Sequence, residues 1–352
     1  MPRPGFVLEV DKSTPPILFW RGENFSLEKL PAGRSRVIYA PEPLPAIEDV
    51  DGAIRHALLN PIEQDPLPEQ LFPGMKLTIA FDDVSLPLPK MQRPDIRQRV
   101  IEAVLDMAAD AGVDDVHIIS ALALHRRMTE AELRHAVGDR VYDAFAPRGT
   151  LYQHDAEDPE NLSYLGTTPH GEDVEINKRA AESDLLVYVN INLVAMDGGW
   201  KSTATGLSSY KSLRHHHNPE TMIHSRSFMD QHRSELHKSN WRMGKVLLDS
   251  GVKVFQIETT LNTDTFPSPF GFLAKREWEW KPSDRMTFLA STKALNRTPT
   301  RLARKIFHSI EAPHQMTSVQ AGDVEAVHRI TTEHVYKQQL VEVKGQTDIL
   351  TL

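Results

Sequence analysis

The chain has 352 residues, 40% hydrophobic and 25% charged, which is enough to bury one large core or two smaller ones. A net charge of -8 and the scattering of its 40 Lys and Arg residues exclude a basic surface for nucleic acid. The lack of cysteine excludes disulfides, thiolate nucleophiles and cysteine-type zinc sites. No run reaches the roughly 18 apolar residues of a membrane span, and the first residues have no apolar signal core. We therefore expect a cytoplasmic protein without membrane or nucleic-acid partners.

The first 74 residues are rich in proline and contain only short β-like runs, such as 36–39. This pattern predicts an irregular N-terminal segment, 1–74, that covers the main domain.

From residue 75 the sequence alternates between strand and helix patterns. Strands are predicted at 76–81, 115–121, 185–190 and 252–257. Helices are predicted at 95–111, from the capping box 129–132 onwards, and at 241–248. Strands joined by helical crossovers predict an α/β fold, with a parallel-sheet domain and a second, smaller or incomplete α/β domain.

The predicted domain boundaries follow from these patterns. The parallel-sheet domain covers 75–261, and the less ordered stretch 262–316, which carries Trp278, Trp280 and a basic helix-like run at 301–305, is predicted to be an insertion or lid. Residues 317–352 are predicted to begin the second domain.

Polar residues follow the predicted strands, where parallel sheets bind ligands. Asp82 and Asp83 end the first strand, and His125 follows the second. Imidazole exchanges protons near neutral pH, so His125 is a candidate acid or base. The alternative is an ordinary surface histidine or one near a helix start.

A second candidate is the run Gly198-Gly199-Trp200-Lys201-Ser202, which enters a predicted helix. Paired glycines let a backbone approach a ligand, helix-start N–H groups attract phosphate, and the lysine adds a charge or a nucleophilic amine. The spacing is not that of a Walker loop. The alternative is a plain turn from loop to helix.

The third candidate is His215-His216-His217. Three consecutive histidines cannot all face one point, but one of them can ligate a soft or borderline metal. The alternative is a solvated polar turn.

Together these segments resemble the lactate racemase (LarA-like) family. The stretch from Asp83 to about Leu261 resembles the N-terminal domain of that family. The matching segments are LHR at 124–126, TEAEL at 129–133, HD at 154–155, NL at 161–162, GTT at 166–168 and GGWKS at 198–202. Near the end, AGDVEAVH at 321–328 resembles the family segment Ala-Gly-Asp-Pro-x-x-Ala-His.

The resemblance implies a nickel-pincer nucleotide, pyridinium-3-thioamide-5-thiocarboxylic acid mononucleotide. Lys201 would tether it through a thioamide, with Asp83, Gly198, Gly199 and Ser202 also at the cofactor. His217 would ligate nickel, the sulfur ligands would come from the cofactor, and His125 would be one of two acid/base histidines.

Three features depart from the family pattern. Leu86 replaces the arginine that would bind a substrate carboxylate in a bidentate contact. Ile191, with Asn192 beside it, replaces the second histidine. The run 348–352 resembles the strand that precedes the later lysine-bearing segment of the family, which leaves open a shortened chain or a missing domain.

The leading hypothesis is a racemase or epimerase that moves a hydride on a 2-hydroxy acid or polyol other than lactate. Arg126, Arg127 or Lys211 would then replace the missing arginine. A noncatalytic or cofactor-handling member is the alternative, which the two losses favour and the retained His125 disfavours. A third reading, an α/β ligand-binding protein without nickel, conflicts with the joint match of Lys201 and His217. Homo-oligomerisation stays open.

Overall fold

The computed structural model describes residues 6–21, 24–39, 41–84, 90–341 and 343. Its strands are β1 (Phe6–Glu9), β2 (Ile17–Arg21), β3 (Asn24–Glu28), β4 (Arg36–Tyr39), β5 (Lys76–Asp82), β6 (Lys90–Met91), β7 (Asp115–Ala121), β8 (Leu151–Gln153), β9 (Leu162–Thr167), β10 (Asp173–Asn177), β11 (Leu185–Asn192), β12 (Val254–Leu261), β13 (Glu311–Ala312) and β14 (Met316–Gly322). Its α-helices are α1 (Val50–Leu59), α2 (Leu67–Gln70), α3 (Ile96–Asp110), α4 (Glu130–Val137), α5 (Asp139–Phe145), α6 (Lys178–Ala181), α7 (Trp200–Gly206), α8 (Tyr210–Leu213), α9 (Pro219–His224), α10 (Glu235–Asp249), α11 (Pro282–Leu295), α12 (Thr300–Ser309) and α13 (Val324–Gln339).

The main sheet has the strand order β14-β12-β11-β5-β7-β8. The strands from β12 to β8 run parallel, and β14 is antiparallel to β12. The chain passes from β5 through α3 to β7 on one side and later returns as β11 on the other side of β5. The direction of the connections therefore reverses between β5 and β11. Ligand crevices of open α/β sheets lie at the carboxyl ends of such a pair.

Both faces of the sheet are covered by helices, which confirms the predicted α/β class. On one face Ile79 of β5 packs in a core with Val100 of α3 and residues of α1 and α4. On the other face Tyr188 of β11 packs with Met243 of α10 and residues of α7. All residues of β11 and β12 are buried, as expected for strands covered on both sides.

The strands predicted in the main domain correspond to β5, β7, β11 and β12, with ends that differ by a few residues. The first predicted helix is α3, for which Asp95 is the N-cap and accepts a hydrogen bond from Arg97 N. The predicted capping box is present at the start of α4, where Thr129 and Glu132 each bond the other's backbone N–H.

The N-terminal segment forms two antiparallel pairs, β1 with β4 and β2 with β3. It also contains α1, a helix of ten residues that the sequence did not predict. In the segment 262–316, Phe272, Trp280 and Phe288 form a small separate core against Phe25 and Leu27 of β3. Within the stretch assigned to a second domain, β14 pairs with β12, and α13 packs on both strands. Among the described helices none is long and apolar enough to cross a membrane.

A buried arginine fixes the carboxyl end of β5. Arg97 bonds both carboxylate oxygens of Asp95, with Nε–Oδ1 and Nη2–Oδ2 distances of 2.9 and 2.6 Å. Its Nη1 also donates to the carbonyls of Asp82 and Asp83, at 3.0 and 3.1 Å. Arg97 and Asp95 are both buried. The pair thus connects the start of α3 to the backbone at the end of β5, next to the predicted site.

We expect Arg97→Ala to lower the free energy of unfolding by about 3 kcal/mol or more, because it leaves the Asp95 carboxylate buried without its partner. On the same helix Arg99 pairs with the exposed Asp51 at 2.8 Å. Arg99→Ala is the matched control and should cost less than about 1 kcal/mol. Urea unfolding measures both; equal losses would contradict the assigned role of Arg97.

Candidate functional site

The reversal point between β5 and β11 carries an ionisable group. Asp82 ends β5, and its Oδ2 accepts a hydrogen bond from Ile191 N at 2.8 Å. Its Oδ1 accepts one from the Tyr188 hydroxyl at 3.1 Å. The carboxylate therefore bridges the two strands where an α/β sheet binds its ligands.

Burial raises the pKa of the Asp82 carboxyl to about 7, because the charged form loses water. The negative charges of Asp197 and Asp83 raise this pKa further, while the Ile191 N–H and Lys201 lower it. A group that titrates near neutral pH in a crevice is a candidate acid or base. The sequence identified Asp82 only as a strand end, since its neighbours come from distant segments.

His125 lies beside Asp83. Its Nδ1 is 3.1 Å from Asp83 Oδ2, and its side chain is 53% exposed. Because a carboxylate can only accept, Nδ1 donates, which leaves Nε2 as the nitrogen with a lone pair. The preceding turn is strained: Ala123 has a φ of 49°, in the left-handed region that residues with a Cβ seldom adopt. The predicted acid/base residue is thus oriented by Asp83, which the sequence had assigned to the cofactor.

Lys201 is in the first turn of α7, after a turn with φ of 91° at Gly198 and 59° at Gly199. Its Nζ lies 3.4 Å from Asp197 Oδ1, and its side chain is 23% exposed. The other oxygen of Asp197 accepts from the N–H groups of residues 193 and 194, both at 3.1 Å. The same aspartate therefore shapes the loop after β11 and holds the lysine amine.

Ser202, the other predicted cofactor contact on α7, points into the interior. It is buried, and its Oγ lies 2.9 Å from the side-chain amide of Asn190 and accepts from Gln256 Nε2 at 3.2 Å. In this structure the hydroxyl stabilises the contact of α7 with β11 and β12.

The three consecutive histidines have different surroundings. His216 is buried, and burial lowers its pKa to about 3. His215 Nε2 lies 3.6 Å from Asp173 Oδ2. The pKa of His217 is lowered by burial and then by the positive charges of Lys201 and His125. His217 is therefore close enough to the predicted residues Lys201 and His125 for their charges to affect its pKa.

The positions that depart from the family pattern offer no substitute imidazole. Ile191 is buried in the main core, and Asn192 is buried with its Nδ2 donating to Asp197 O at 2.9 Å. The segment 85–87, including Leu86, lies outside the described residues.

The cations suggested as replacements for the missing arginine each have an acidic partner. Arg126 bonds Glu132 through two nitrogens, at 2.9 and 2.7 Å. Arg127 bonds Asp155, and Lys211 Nζ lies 3.5 Å from Asp173 Oδ2. To bind a substrate carboxylate, each of these three cations would have to give up its present acidic partner. Within the described ranges, no group of three or more His, Asp or Glu side chains is arranged to hold a metal ion.

The raised pKa of Asp82 predicts a pH dependence of stability. Folding favours its protonated form, so its contribution to the free energy of unfolding is largest below the ordinary pKa of 3.8 and is lost as pH rises toward 7. Between pH 5 and pH 8, wild type should lose about 2 kcal/mol more than Asp82→Asn, which cannot ionise.

Urea unfolding at the two pH values measures this difference. Exposed Asp249 supplies the control, because Asp249→Asn should retain the pH dependence of wild type. The assignment is wrong if Asp82→Asn and wild type lose stability in parallel.

The chain is similar to known proteins over part of its length. The model of the lactate racemase N-terminal domain matches residues 22–230. Lactate racemase of Lactiplantibacillus plantarum is 30% identical over 171 residues, which cover 47% of this chain and 38% of that protein. Lactate racemase of Thermoanaerobacterium thermosaccharolyticum is 29% identical over 174 residues, 47% of this chain and 37% of that protein. The chain thus matches well under half the length of either relative.

A solved structure shows the same fold. The lactate racemase apoprotein from T. thermosaccharolyticum superposes with a TM-score of 0.58 at 20% identity, over 92% of this chain and 62% of that one. The family match covers more than half of the chain and includes His125, Lys201 and His217. The chain therefore belongs to the family defined by the lactate racemase N-terminal domain.

Proposed function

We propose that this chain binds a nickel-pincer nucleotide and, by reversible hydride transfer, racemises or epimerises a 2-hydroxy acid or related alcohol. The observation that carries the proposal is the electrostatic proximity of His217 to Lys201 and His125. Lys201 follows His125 by 76 residues and precedes His217 by 16, which is the spacing that the family resemblance implies. Membership of the lactate racemase family supports the same function.

The residues present fit such a cofactor. The lowered pKa of His217 keeps its imidazole neutral at pH 7, as a metal ligand must be. Its Nδ1 lies 3.0 Å from His216 Nδ1, which leaves Nε2 for another partner. A cysteine-free chain supplies only nitrogen and oxygen ligands here, so the soft ligands would come from the cofactor. Lys201 would hold the nucleotide through its amine.

When bound, the cofactor would accept a hydride from the substrate carbon and return it. His125 would take the hydroxyl proton at Nε2 while Asp83 holds Nδ1, which fixes the tautomer and stabilises the imidazolium. The position of the second histidine is occupied by Ile191, which is buried in the core and supplies no imidazole for the opposite face. We therefore propose that inversion is slow or relies on a water on that face.

The proposed substrate is not lactate. Leu86 stands where the family pattern has its carboxylate-binding arginine. Of the cations considered as substitutes, Arg126 has the strongest existing pair, a two-nitrogen contact with Glu132. Desolvating a substrate carboxylate without such a partner is costly. The missing charge favours polyols with neutral groups, and the apolar Leu86 favours 2-hydroxy acids that carry larger apolar groups than lactate.

A noncatalytic, cofactor-binding role is the second candidate. It is favoured by the burial of Ile191 and Asn192, which leaves His125 as the one imidazole of the acid/base pair. Cofactor loading and substrate turnover separate the two candidates, since both require loading and only the first requires turnover.

Attachment of the nucleotide cofactor is predicted to depend on Lys201. In protein produced together with the cofactor pathway, Lys201→Ala should lose the mass adduct of the nucleotide, because the tethering amine is gone. The matched control is Lys211→Ala, which removes a lysine ten residues away and should keep the adduct. Intact-mass spectrometry makes the measurement, and a full adduct in Lys201→Ala would sink the assignment.

Nickel content tests His217 in the same protein. His217→Ala should lower nickel far more than His215→Ala or His216→Ala, because only His217 neighbours Lys201 and His125. Nickel is quantified by elemental analysis, and an equal loss in all three variants would show that the histidines do not differ.

Substrate choice is tested with a panel of 2-hydroxy acids and polyols on loaded protein. Loss of chirality and deuterium exchange should be slow for lactate and faster for larger or more neutral substrates, because Leu86 supplies no charge for a carboxylate. His125→Gln should suppress exchange, since the amide cannot take the proton. Fast lactate racemisation would contradict the proposed substrate, and adduct without turnover on any substrate would favour the noncatalytic role.

A further inference from the structure

The segment AGDVEAVH at 321–328 has no role in the mechanism above. Gly322 ends β14 where its backbone lies against Ile62, so that a Cβ on Gly322 would come within 2.2 Å of Ile62 O. Asp323 then caps α13 by accepting from the N–H groups of residues 325 and 326. These two residues start the helix at a fixed place. One turn later the helix presents His328 to Glu258 in the middle of β12.

His328 contacts a carboxylate that is completely buried. Its Nδ1 lies 3.1 Å from Glu258 Oε2, and Glu258 has no exposed surface. The same carboxylate accepts from Asn192 Nδ2 at 3.2 Å and from Gln256 Nε2 at 3.2 Å. Its shortest hydrogen bond, 2.7 Å, comes from the backbone N–H of Gly199. A buried carboxylate without such donors would be strongly destabilising.

The turn before Lys201 rests directly on this pair. A Cβ on Gly198 would lie 2.6 Å from Glu258 Oε1 and 2.7 Å from His328 Nδ1. A Cβ on Gly199 would lie 2.6 Å from the His328 ring. The two glycines are therefore required by the side chains beneath them, in addition to their positive φ angles.

The hydrogen bonds continue from the pair to the lysine. Asn192 Nδ2 donates both to Glu258 and to the carbonyl of Asp197. Asp197 in turn holds Lys201 Nζ through its carboxylate. Two routes thus lead from Glu258 to Lys201, one through the backbone of Gly199 and one through Asn192 and Asp197.

We propose that Glu258 and His328 form a positioning pair that holds the Gly198-Gly199 turn and, through it, the amine of Lys201. The inference depends on the proposed function only in assuming that the amine tethers a cofactor. The placement of the amine can be measured without any cofactor. It also gives the segment 321–328 a role, because that segment delivers His328 to the turn.

The test measures how fast an acylating reagent modifies Lys201 in the full chain. Peptide mass mapping gives the rate at Lys201 relative to exposed Lys12 in the same sample. Glu258→Gln keeps one oxygen that can accept from the Gly199 N–H. It replaces the other oxygen with an NH2 group, which cannot accept from the Asn192 and His328 donors. Loosening the turn should expose the amine and raise the Lys201:Lys12 ratio by about threefold or more.

Glu277 offers a matched control elsewhere in the fold. It is also a buried carboxylate, with Oε1 accepting from Leu18 N at 2.7 Å and Oε2 from the Tyr39 hydroxyl at 2.6 Å. Glu277→Gln should leave the ratio as in wild type even if it lowers stability as much. An unchanged ratio in folded Glu258→Gln, or an equal rise in Glu277→Gln, would overturn the proposal.

If Glu258→Gln does not fold, variants of His328 test the positioning role of the pair. His328→Leu removes the donor to Glu258 and should raise the ratio, whereas the side-chain amide in His328→Asn can take the place of Nδ1 and should restore it. Equal ratios in the two variants would overturn the positioning role. Because these labelling ratios need no nucleotide, their failure is distinguishable from an absent mass adduct, which would count against the proposed function alone.

Discussion

A fully buried carboxylate needs hydrogen-bond donors, and Glu258 takes them from four separate positions of the chain. Three of these donors belong to the last residue of β11, to β12 itself and to α13. The fourth is the Gly199 N–H in the turn before Lys201. None of these segments can shift alone without leaving the charge short of a donor. The placement of the lysine is thus coupled to the packing of α13 on the sheet.

The reversal point holds a second carboxylate with a different balance of donors. Asp82 accepts from the Ile191 N–H and the Tyr188 hydroxyl, and it lies near the negative charges of Asp197 and Asp83. Burial therefore raises its pKa to about 7. Glu258 on β12 thus shapes the backbone around it through its four donors, whereas on β5 burial and the nearby charges raise the pKa of Asp82 toward neutral.

The sequence predicted those features that depend on local pattern. The strands at 76–81 and 115–121 and the capping box at Thr129 were confirmed because each is encoded by adjacent residues. Helix α1 was missed because prolines on both sides obscure its pattern. The pairing of β14 with β12 also lay beyond prediction, since hydrophobic periodicity does not identify the neighbour of a strand.

For the candidate site, too, the sequence predicted the residues that belong to local motifs and missed those that depend on distant contacts. Lys201, His125 and His217 stood out through motifs, and burial together with the charges of Lys201 and His125 lowers the pKa of His217. Asp82, Glu258 and His328 did not, because their importance comes from contacts between residues far apart in sequence. A motif reports which residue types recur, whereas burial and donor count depend on the whole fold.

The glycine pair shows how these two sources of information combine. From sequence alone, Gly198-Gly199 suggests a backbone that a ligand can approach closely. In the structure the side chains of Glu258 and His328 occupy the space where both Cβ atoms would lie, and the Gly199 N–H already donates to Glu258. The glycines are therefore needed whether or not a ligand binds, and they carry little weight for a phosphate site. The case for a nucleotide rests instead on the lysine that this turn positions and on its proximity to His217.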